Sequence, residues 1–468
     1  MRYDALIIGA GMSGLGAGIR LAQAGKRVLI LERHYLWGGL NSFYKRGGRR
    51  FDTGLHALTN YVPRGTAGAP LTRILRQLRI PYDAWKLAPQ RRSRTAMRVR
   101  GETLRLEYSN DFELMRSEIA RLFPAEVGGF DALCRALPAY DLGNTAVFER
   151  SARAELARFF RDPLLIEMLL VAPMFYGSAS EHDMSWGDFG VLFRSIHLEG
   201  MARPEDGIRG VLDTLLERFR AEGGELRLRC DVAAIVHDAG RVRGVRLASG
   251  EELEAERVFS SAGLLETRAL LGGAALADGA TAGRMSFLET CSVLSAAPAE
   301  LGHDATIVFF CDGERLHYER PEAPVDARSG VITCPSNYLS SAPPEESVVR
   351  VTCPANHERW LGLDDGAYAA QKERAVEAML DAASVFAFDP RPHTVFRDAF
   401  TPRTIERFTG HRGGAVYGSA TKLRDGATGI EGLHVIGTDQ GLVGVVGALL
   451  SGISIVNATM LRPVEGAR

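Results

Sequence analysis

The sequence has little net charge and few cysteines. Its 56 basic and 57 acidic side chains leave a formal charge of -1 at pH 7 over 468 residues. Because a nearly neutral chain has no overall field to attract nucleic acid, we expect no nucleic-acid partner. The six cysteines include no Cys-x-x-Cys pair and are spread along the chain. This pattern argues against a disulfide framework and a zinc site, so we expect a cytoplasmic protein without a bound metal.

The sequence also lacks a recognisable signal peptide and a convincing membrane span. Met1–Ala5 runs into a strand-like segment, without a basic region followed by an apolar core. Residues 441–461 carry no charge over 21 positions, long enough to cross a bilayer of ~30 Å. That stretch holds four glycines, two serines and an asparagine, which lower its transfer free energy and suit close packing. We therefore predict a closely packed helix there and no transmembrane segment.

Glycine is the residue in excess, with 51 among 468 residues against a usual share of roughly 7%. The first cluster, Gly9-x-Gly11-x-x-Gly14, lies between a strand-like Tyr3–Ile8 and a helical segment from Leu15 to Ala24. Strand, glycine turn and helix in this order form a dinucleotide-binding fingerprint, with the phosphates at the positive end of the helix. A second strand ends at Glu32, whose carboxylate can accept hydrogen bonds from a ribose. The sequence shows only one such fingerprint, so no separate nicotinamide domain is visible.

Two motifs after Glu32 indicate a flavin. They are Gly38-Gly39-Leu40-Asn41-Ser42 and Phe51-Asp52-Thr53-Gly54-Leu55-His56. With the fingerprint, they resemble the amino-terminal FAD-binding pattern of the flavin amine oxidase superfamily. The similarity is greatest to the branch that holds phytoene desaturases, carotenoid isomerases and retinol saturases, in which both stretches face the cofactor. The resemblance implies that FAD is the cofactor.

The resemblance covers nearly the whole chain and implies a fold. It predicts an α/β protein with a Rossmann-like FAD-binding domain, doubly wound in three layers, and an interleaved α+β substrate domain. Residues 1–70, 205–284 and 398–468 are assigned to the FAD-binding domain, and residues 71–204 and 285–397 to the substrate-binding domain. Within the latter, hydrophobic periodicity predicts helices over 111–135 and 152–170, with Asp162-Pro163 as a cap, and a hairpin about Gly101.

The resemblance also assigns cofactor-binding positions. Those near the amino terminus are Gly9, Gly11, Met12, Ser13, Gly14, Glu32, Arg33, Gly38, Gly39, Leu40, Asn41, Gly54, Leu55 and His56. Those from later segments are Val232, Ala262, Gly437, Asp439, Val445 and Val446. In the family, the helix after the Asp439 position points its N–H groups at the pyrimidine end of the flavin. A positive helix end there would stabilise negative charge on the reduced flavin.

His56 is the candidate catalytic residue, because its motif passes the isoalloxazine in the family. A reaction that moves a hydride together with a proton needs a group to carry that proton. A histidine that titrates near neutrality is suited to this role. The alternative is that His56 only forms hydrogen bonds to the cofactor or to the backbone.

Three functions remain open from the sequence. The first is an FAD-dependent oxidoreductase that desaturates, saturates or isomerises carbon-carbon bonds of an apolar polyene or isoprenoid. The second is an amine oxidase, although among five lysines only Lys422 or Lys45 could stand for the lysine near the flavin in that group. The third is a prenyl-binding escort protein of the same fold, a group that lacks a working flavin site. Carotene desaturases usually carry His-Pro-Gly before the last helix, where this chain has Gly437-Thr438-Asp439, which argues against strict phytoene desaturation.

Two stretches bear on the substrate. Residues 159–193 concentrate aromatic and sulfur-containing side chains, typical either of ordinary core or of the wall of an apolar tunnel. The basic pairs Lys45-Arg46 and Arg91-Arg92 are either solvated strand edges or a contact with a membrane surface. The tripeptide Thr-Cys-Pro occurs at 333–335 and at 352–354, and we interpret this as a coincidence of strand ends with neither cysteine catalytic.

Overall fold

The computed structural model describes residues 2–137, 145–273 and 280–461. The strands of these ranges are β1 Tyr3–Ile8, β2 Val28–Leu31, β3 Phe43–Arg46, β4 Arg49–Asp52, β5 Leu58–Thr59, β6 Leu87–Pro89, β7 Ser93–Val99, β8 Glu102–Tyr108, β9 Met201–Pro204, β10 Glu225–Arg227, β11 Val232–Asp238, β12 Arg241–Leu247, β13 Glu252–Ser260, β14 Ser286–Leu294, β15 Ile307–Asp312, β16 Ser329–Thr333, β17 Ser347–Ala355, β18 Thr394–Phe400 and β19 Leu433–Val435. The α-helices are α1 Met12–Gln23, α2 Pro70–Gln77, α3 Phe112–Leu122, α4 Val127–Ala136, α5 Ala152–Leu156, α6 Pro163–Gly177, α7 Trp186–Phe193, α8 Gly207–Ala221, α9 Leu264–Leu270, α10 Asp365–Phe386, α11 Pro402–Thr409 and α12 Gly444–Val456.

The first sheet has a parallel core in the order β10-β2-β1-β13-β19. Its central strands β1 and β2 are almost entirely apolar, because helices α1, α8 and α12 cover one face while β11, β12 and α9 cover the other. Apolar strands buried on both faces are typical of a doubly wound sheet. The predicted Rossmann-like, three-layer α/β fold is confirmed.

Helix α12 packs directly on α1. A Cβ atom on Gly452 would lie 2.0 Å from the carbonyl oxygen of Ser13, so only glycine permits this approach of the two backbones. In the described part of the chain, Gly444–Leu461 is the one helical segment long and apolar enough to cross a membrane, with a mean hydropathy of 1.8. Its contact with α1 is that of a core helix, in agreement with the close packing expected from the sequence.

The second sheet runs in the order β18-β14-β17-β16-β15-β7-β8 and is antiparallel except between β15 and β7. Helix α10 packs on one face of this sheet, and helices α3 to α7 pack on the opposite face. The hairpin predicted about Gly101 is β7-β8. The two long predicted helices are each divided. The first ends as α3 just before Pro124, which has no N–H to donate, and resumes as α4. The second is interrupted after α5 and begins again as α6, where Asp162 caps the helix by accepting from the N–H of Leu164.

Two small sheets tie the two domains together. The hairpin β3-β4 packs its Phe51 against Cys291 and Val293 of β14, although it comes from the segment assigned to FAD binding. β5 and β6 both pair with β9 in a small sheet. β18 lies wholly in the second sheet, so the domain boundary predicted at 398 falls inside a strand that ends at Phe400. All six cysteines are free thiols, as expected for a chain without a disulfide framework.

Candidate functional site

A cavity of about 800 Å³ lies between the two sheets. It begins at the carboxyl ends of β1 and β2, which is where open α/β sheets bind their ligands, and extends to the inner face of the second sheet. Its lining combines residues of both domains. A single cavity therefore joins the nucleotide end to the substrate domain.

The glycine turn forms the floor of the nucleotide end. Gly9 has a φ of +98°, which side chains rarely adopt, and a Cβ atom on Gly14 would lie 2.1 Å from the carbonyl oxygen of Gly9. Gly11 forms a bridge to Gly38, and a Cβ atom on Gly11 would meet no heavy atom closer than 4.0 Å. A side chain on Gly11 would enter the groove, so its absence leaves room for a pyrophosphate beside the amino terminus of α1.

Glu32 is fixed by two backbone N–H groups. Ala10 donates to Oε2 at 2.8 Å and His34 donates to Oε1 at 2.9 Å. The side chain is 9% exposed and lines the cavity. Since an ionised carboxylate has about four lone-pair positions, both oxygens can still accept hydrogen bonds from a ribose. The residues of this end thus fit the adenosine and pyrophosphate of FAD.

The structure brings most of the predicted cofactor residues to the cavity wall. Lining it are Gly9, Gly11, Met12, Ser13, Glu32, Arg33, Gly38, Gly39, Leu40, Asn41, Gly54, His56, Val232, Ala262, Gly437 and Val445. The predicted residues that do not line it are Gly14, Leu55, Asp439 and Val446. Gly14 serves the close packing of α1 on Gly9, and Leu55 and Val446 are buried in the core of the first domain.

Asp439 has another role than the predicted contact with FAD. Its carboxylate accepts from the N–H groups of Leu264 at 2.6 Å and Ser419 at 2.8 Å, and Nζ of Lys422 lies 3.5 Å from it. These bonds tie the start of α9 and the segment before β19 to the turn that leads into α12. Asp439 therefore holds the cofactor end together without facing the cavity.

The opposite wall is a row of side chains from neighbouring strands of the second sheet. Each side chain in the row is the cross-strand neighbour of the next. In order, they are Phe309 of β15, Val331 of β16, Thr352 of β17, Glu289 of β14 and Phe400 of β18. All five line the cavity. The wall is thus mainly apolar with a polar centre made of Thr352 and Glu289.

His56 lies against this polar centre. Its Nδ1 is 2.8 Å from Oγ1 of Thr333, and its Nε2 is 3.4 Å from both Oγ1 of Thr352 and Oε2 of Glu289. The hydroxyl of Tyr338 donates to its carbonyl oxygen at 3.0 Å. Because the Thr352 hydroxyl donates to Glu289 at 2.8 Å, its oxygen accepts from Nε2–H, and Nδ1 accepts from Thr333.

The imidazole of His56 is neutral at physiological pH. Burial, and next the nearby Arg350 guanidinium, lower its pKa to about 3. The expectation that His56 titrates near neutrality is therefore wrong, because the sequence shows neither the burial nor the arginine. Both ring nitrogens already have hydroxyl partners, so the geometry favours a positioning role.

Glu289 and Arg350 form a buried ion pair behind His56. Arg350 donates to Oε1 of Glu289 from Nε at 2.8 Å and from Nη2 at 2.6 Å, and both side chains are 3% exposed. Burial opposes ionisation of Glu289, but Arg350, His56 and Thr352 together lower its pKa below the usual range. Glu289 is therefore a carboxylate at neutral pH.

Sequence reasoning missed four residues of this centre: Thr333, Thr352, Glu289 and Arg350. The repeated Thr-Cys-Pro tripeptide was the available signal, since both of its threonines contact His56. The other signal was Glu289 itself, the one charged residue within the otherwise uncharged strand β14. In the described part of the chain, no group of three or more histidines, cysteines or acidic residues lies in a metal-binding arrangement.

The aromatic stretch 159–193 divides between core and cavity wall. Phe175 and Tyr176 line the cavity, together with Phe287 and Tyr417 from elsewhere in the chain. The other aromatic and sulfur-containing members belong to the hydrophobic core of the substrate domain, namely Phe159, Phe160, Met168, Met174, Met184, Trp186, Phe189 and Phe193. The substrate end of the cavity is thus aromatic, although most of the stretch is ordinary core.

A glycine-floored nucleotide groove that opens into an aromatic chamber between two interleaved domains defines a flavin-dependent oxidoreductase. The chain belongs to the flavin containing amine oxidoreductase family, whose family model matches residues 12–459. This membership confirms FAD as the cofactor. FAD-binding residues of this structure would be those of the glycine floor, Glu32 and the start of α12.

The chain is similar in sequence to two curated proteins and in fold to one solved structure. The chain is 23% identical over 494 residues to the chloroplastic prolycopene isomerase of Arabidopsis thaliana, covering 95% of this chain and 80% of that protein. It is 24% identical over 537 residues to the all-trans-retinol 13,14-reductase of Danio rerio, covering 98% of this chain and 86% of that protein. An oxidoreductase from Methanosarcina mazei shares the fold with a TM-score of 0.66 at 18% identity, covering 98% of this chain and all of that one.

Proposed function

We propose that this protein is an FAD-dependent oxidoreductase that acts on carbon-carbon double bonds of an apolar polyene, as an isomerase or a saturase. The observation that carries the proposal is the single cavity that joins the FAD groove to the aromatic wall of Phe175, Tyr176, Phe287, Phe309 and Tyr417. The full-length similarity to a prolycopene isomerase and to a retinol reductase supports it. The missing His-Pro-Gly motif argues against desaturation as the main activity.

When bound, FAD supplies the acceptance or delivery of a hydride. The chain's own residues bind the cofactor, exclude water and orient the polyene. The aromatic side chains offer an apolar surface along which a conjugated chain can lie, and they keep the chamber dry. Glu289, Thr352 and His56 form the polar centre of the cavity wall on the second sheet.

Neither of the two lysines singled out from the sequence supports the amine oxidase alternative. Nζ of Lys422 donates to the carbonyl oxygens of Tyr417 at 2.6 Å and Thr438 at 3.1 Å, and the residue does not line the cavity. Lys45 lines the cavity, but it is an exposed residue of β3. The escort alternative is disfavoured because the glycine floor and Glu32 form an intact nucleotide groove.

The polyene would enter from a membrane surface. Two exposed aromatic residues, Tyr35 at 50% and Phe408 at 46%, line the cavity together with the exposed Lys45 and Arg46. Such a combination of aromatic and basic side chains suits the headgroup region of an anionic bilayer. Arg92 is less suited, since it is paired with Glu107 and Asp304.

The activity is tested with FAD-loaded protein, both with oxidised flavin and with flavin reduced by dithionite, and with three polyenes in liposomes: prolycopene, phytoene and all-trans-retinol. We expect isomerised or reduced product from at least one of them by chromatography with mass detection. Turnover of phytoene alone to a more unsaturated product would replace the isomerase or saturase assignment with a desaturase. No turnover of any of the three would contradict the polyene proposal.

The membrane contact has its own test in liposome sedimentation. Lys45→Glu/Arg46→Glu should weaken binding to anionic vesicles, whereas Arg73→Glu/Arg76→Glu on α2 should not, because those exposed arginines lie outside the cavity lining. Binding of the wild type should fall as salt rises. Equal loss in both double variants would show that only overall charge matters.

A further inference from the structure

Glu289 is placed where a substrate would pass. It lies between Thr352 and Phe400 in the wall row, and it is the charged member of that row. Its neighbours along the strand on the same face are Phe287, which lines the cavity, and Cys291. A carboxylate at the centre of an apolar wall is costly to bury unless it is paired and hydrogen-bonded.

The pairing of Glu289 leaves one of its oxygens available. Oε1 accepts two hydrogen bonds from Arg350, which fills both lone-pair positions of that oxygen. Oε2 accepts from the Thr352 hydroxyl at 2.8 Å, and Nε2 of His56 lies 3.4 Å from it. Oε2 is thus the less heavily bonded oxygen of a carboxylate that lines the cavity.

The carboxylate cannot swing away from this position. Arg350 also donates to the carbonyl oxygen of Leu55, which is shared with Arg203 at 2.7 Å. Arg203 is itself paired with Asp52. The two acidic and two basic groups balance, so Glu289 is held rigidly in a cluster of no net charge.

We propose that Glu289 is the residue that takes the substrate proton in the oxidative direction and returns it in the reductive direction. This proposal rests on the proposed function. An allylic carbon of the polyene would give up a hydride to bound FAD, which would leave a delocalised polyene cation. Oε2 of Glu289 would then remove a proton from the neighbouring carbon, and the electron pair of that C–H bond would form the new double bond. The step would yield a polyene with one more double bond, a protonated Glu289 and a flavin that holds the two electrons of the hydride.

Arg350 makes the Glu289 carboxylate a weaker base, but a weak base is sufficient for this step. The C–H bonds beside a polyene cation are strongly acidic, so even a weak base removes the proton. In the reductive direction the steps reverse, and the carboxyl group of Glu289, once protonated, returns the proton to the carbon from which it came. Thr352 and His56 act as positioning residues, since their hydrogen bonds fix the orientation of Oε2.

The first experiment compares Glu289→Gln with a matched buried variant. Glu167 is also a buried glutamate paired with an arginine, Arg153, and it does not line the cavity. With whichever polyene the FAD-loaded wild type converts, kcat should fall by about 10² to 10⁴ in Glu289→Gln, while KM and bound FAD stay near their wild-type values. Glu167→Gln should keep its turnover within about threefold, as expected for a residue outside the chemistry.

A second variant separates chemistry from misfolding. Glu289→Gln leaves Arg350 buried without a counter-charge, which can unfold the protein. The double variant Glu289→Gln/Arg350→Gln removes both charges and should fold but stay inactive. Turnover at the wild-type rate in either variant would overturn the proposal.

A binding experiment tests the residue without turnover. A C20 polyprenyl trimethylammonium ion imitates a cationic intermediate, and the tert-butyl compound of the same chain is its neutral isostere. FAD-loaded wild type should bind the ammonium ion about tenfold more tightly than the isostere, and this preference should vanish in Glu289→Gln. An equal affinity for both compounds in the wild type would overturn the role of Glu289. Failure of all three polyenes in the turnover assay would instead count against the proposed function.

Discussion

Ala10 and Glu32 are joined by a hydrogen bond of 2.8 Å from the backbone N–H of Ala10 to Oε2 of Glu32. The bond connects the glycine turn after β1 to the acidic residue at the end of β2. The carboxylate is thereby oriented before any nucleotide arrives. The two elements of the dinucleotide fingerprint act as one rigid unit.

Glu32→Lys should release FAD. The substitution replaces a hydrogen-bond acceptor with a group that can only donate, and it removes the partner of Ala10 and His34. We expect FAD to bind at least about 100-fold more weakly, as for the loss of roughly 3 kcal/mol of hydrogen bonds to a charged group. Flavin absorbance after gel filtration measures this. Glu254→Lys, an exposed change on β13, is the control and should remain yellow.

Gly452→Ala should destabilise the FAD-binding domain. The new Cβ atom would lie 2.0 Å from the carbonyl oxygen of Ser13, so α12 must move away from α1. Overpacking of this kind costs about 1 to 3 kcal/mol, which thermal unfolding detects as a lower Tm. Gly128→Ala in α4 meets no atom within 4 Å and should raise stability by about 0.5 to 1 kcal/mol. An unchanged Tm in Gly452→Ala would show that the two helices are not in close contact.

His197 should make the protein acid-sensitive. Burial lowers its pKa to about 3, so the unfolded state takes up a proton near pH 6.5 while the folded state stays neutral. This contribution to stability is present above pH 6.5 and is lost as pH falls toward 3. Between pH 7 and pH 5 the cost is about 2 kcal/mol.

Denaturant unfolding of His197→Phe tests this expectation. The variant should lose about 2 kcal/mol less than the wild type between pH 7 and pH 5, because one protonation is removed. Phenylalanine can pack against Tyr108 and Phe193, which contact the imidazole in the wild type. The exposed His237→Gln change on β11 serves as the control. Parallel pH curves for wild type and His197→Phe would contradict the prediction.

His56→Gln should retain most of the activity. A glutamine amide can replace the hydrogen bonds to Thr352 and Thr333, so positioning of Glu289 is largely preserved. We expect kcat to fall by less than about tenfold with FAD still bound, far less than in Glu289→Gln. Steady-state kinetics with flavin absorbance as a check on cofactor content measure both variants. A fall of about two to four orders of magnitude would instead make His56 the proton carrier.

The FAD half of this protein is predictable from its sequence. The glycine turn, Glu32 and the Gly38-Gly39 pair lie within a short stretch, and local rules of strand, turn and helix bring them together whatever the rest of the chain does. For the same reason the motifs that predict the cofactor all lie within the first 56 residues. Asp439 was misplaced, because nothing local shows that its carboxylate turns toward Leu264 and Ser419 instead of the cavity.

The substrate half depends on contacts that form only in the folded chain. Glu289, Thr333, Arg350 and Thr352 come from three different strands, and the antiparallel register that sets them beside His56 depends on pairings between distant segments. The sequence shows that Glu289 is a lone charged residue in an apolar strand, but it does not show which side chains Glu289 contacts. The protonation of His56 depends on burial and on Arg350 in the same way. Both are properties of packing, and packing is determined by contacts between residues far apart in the chain.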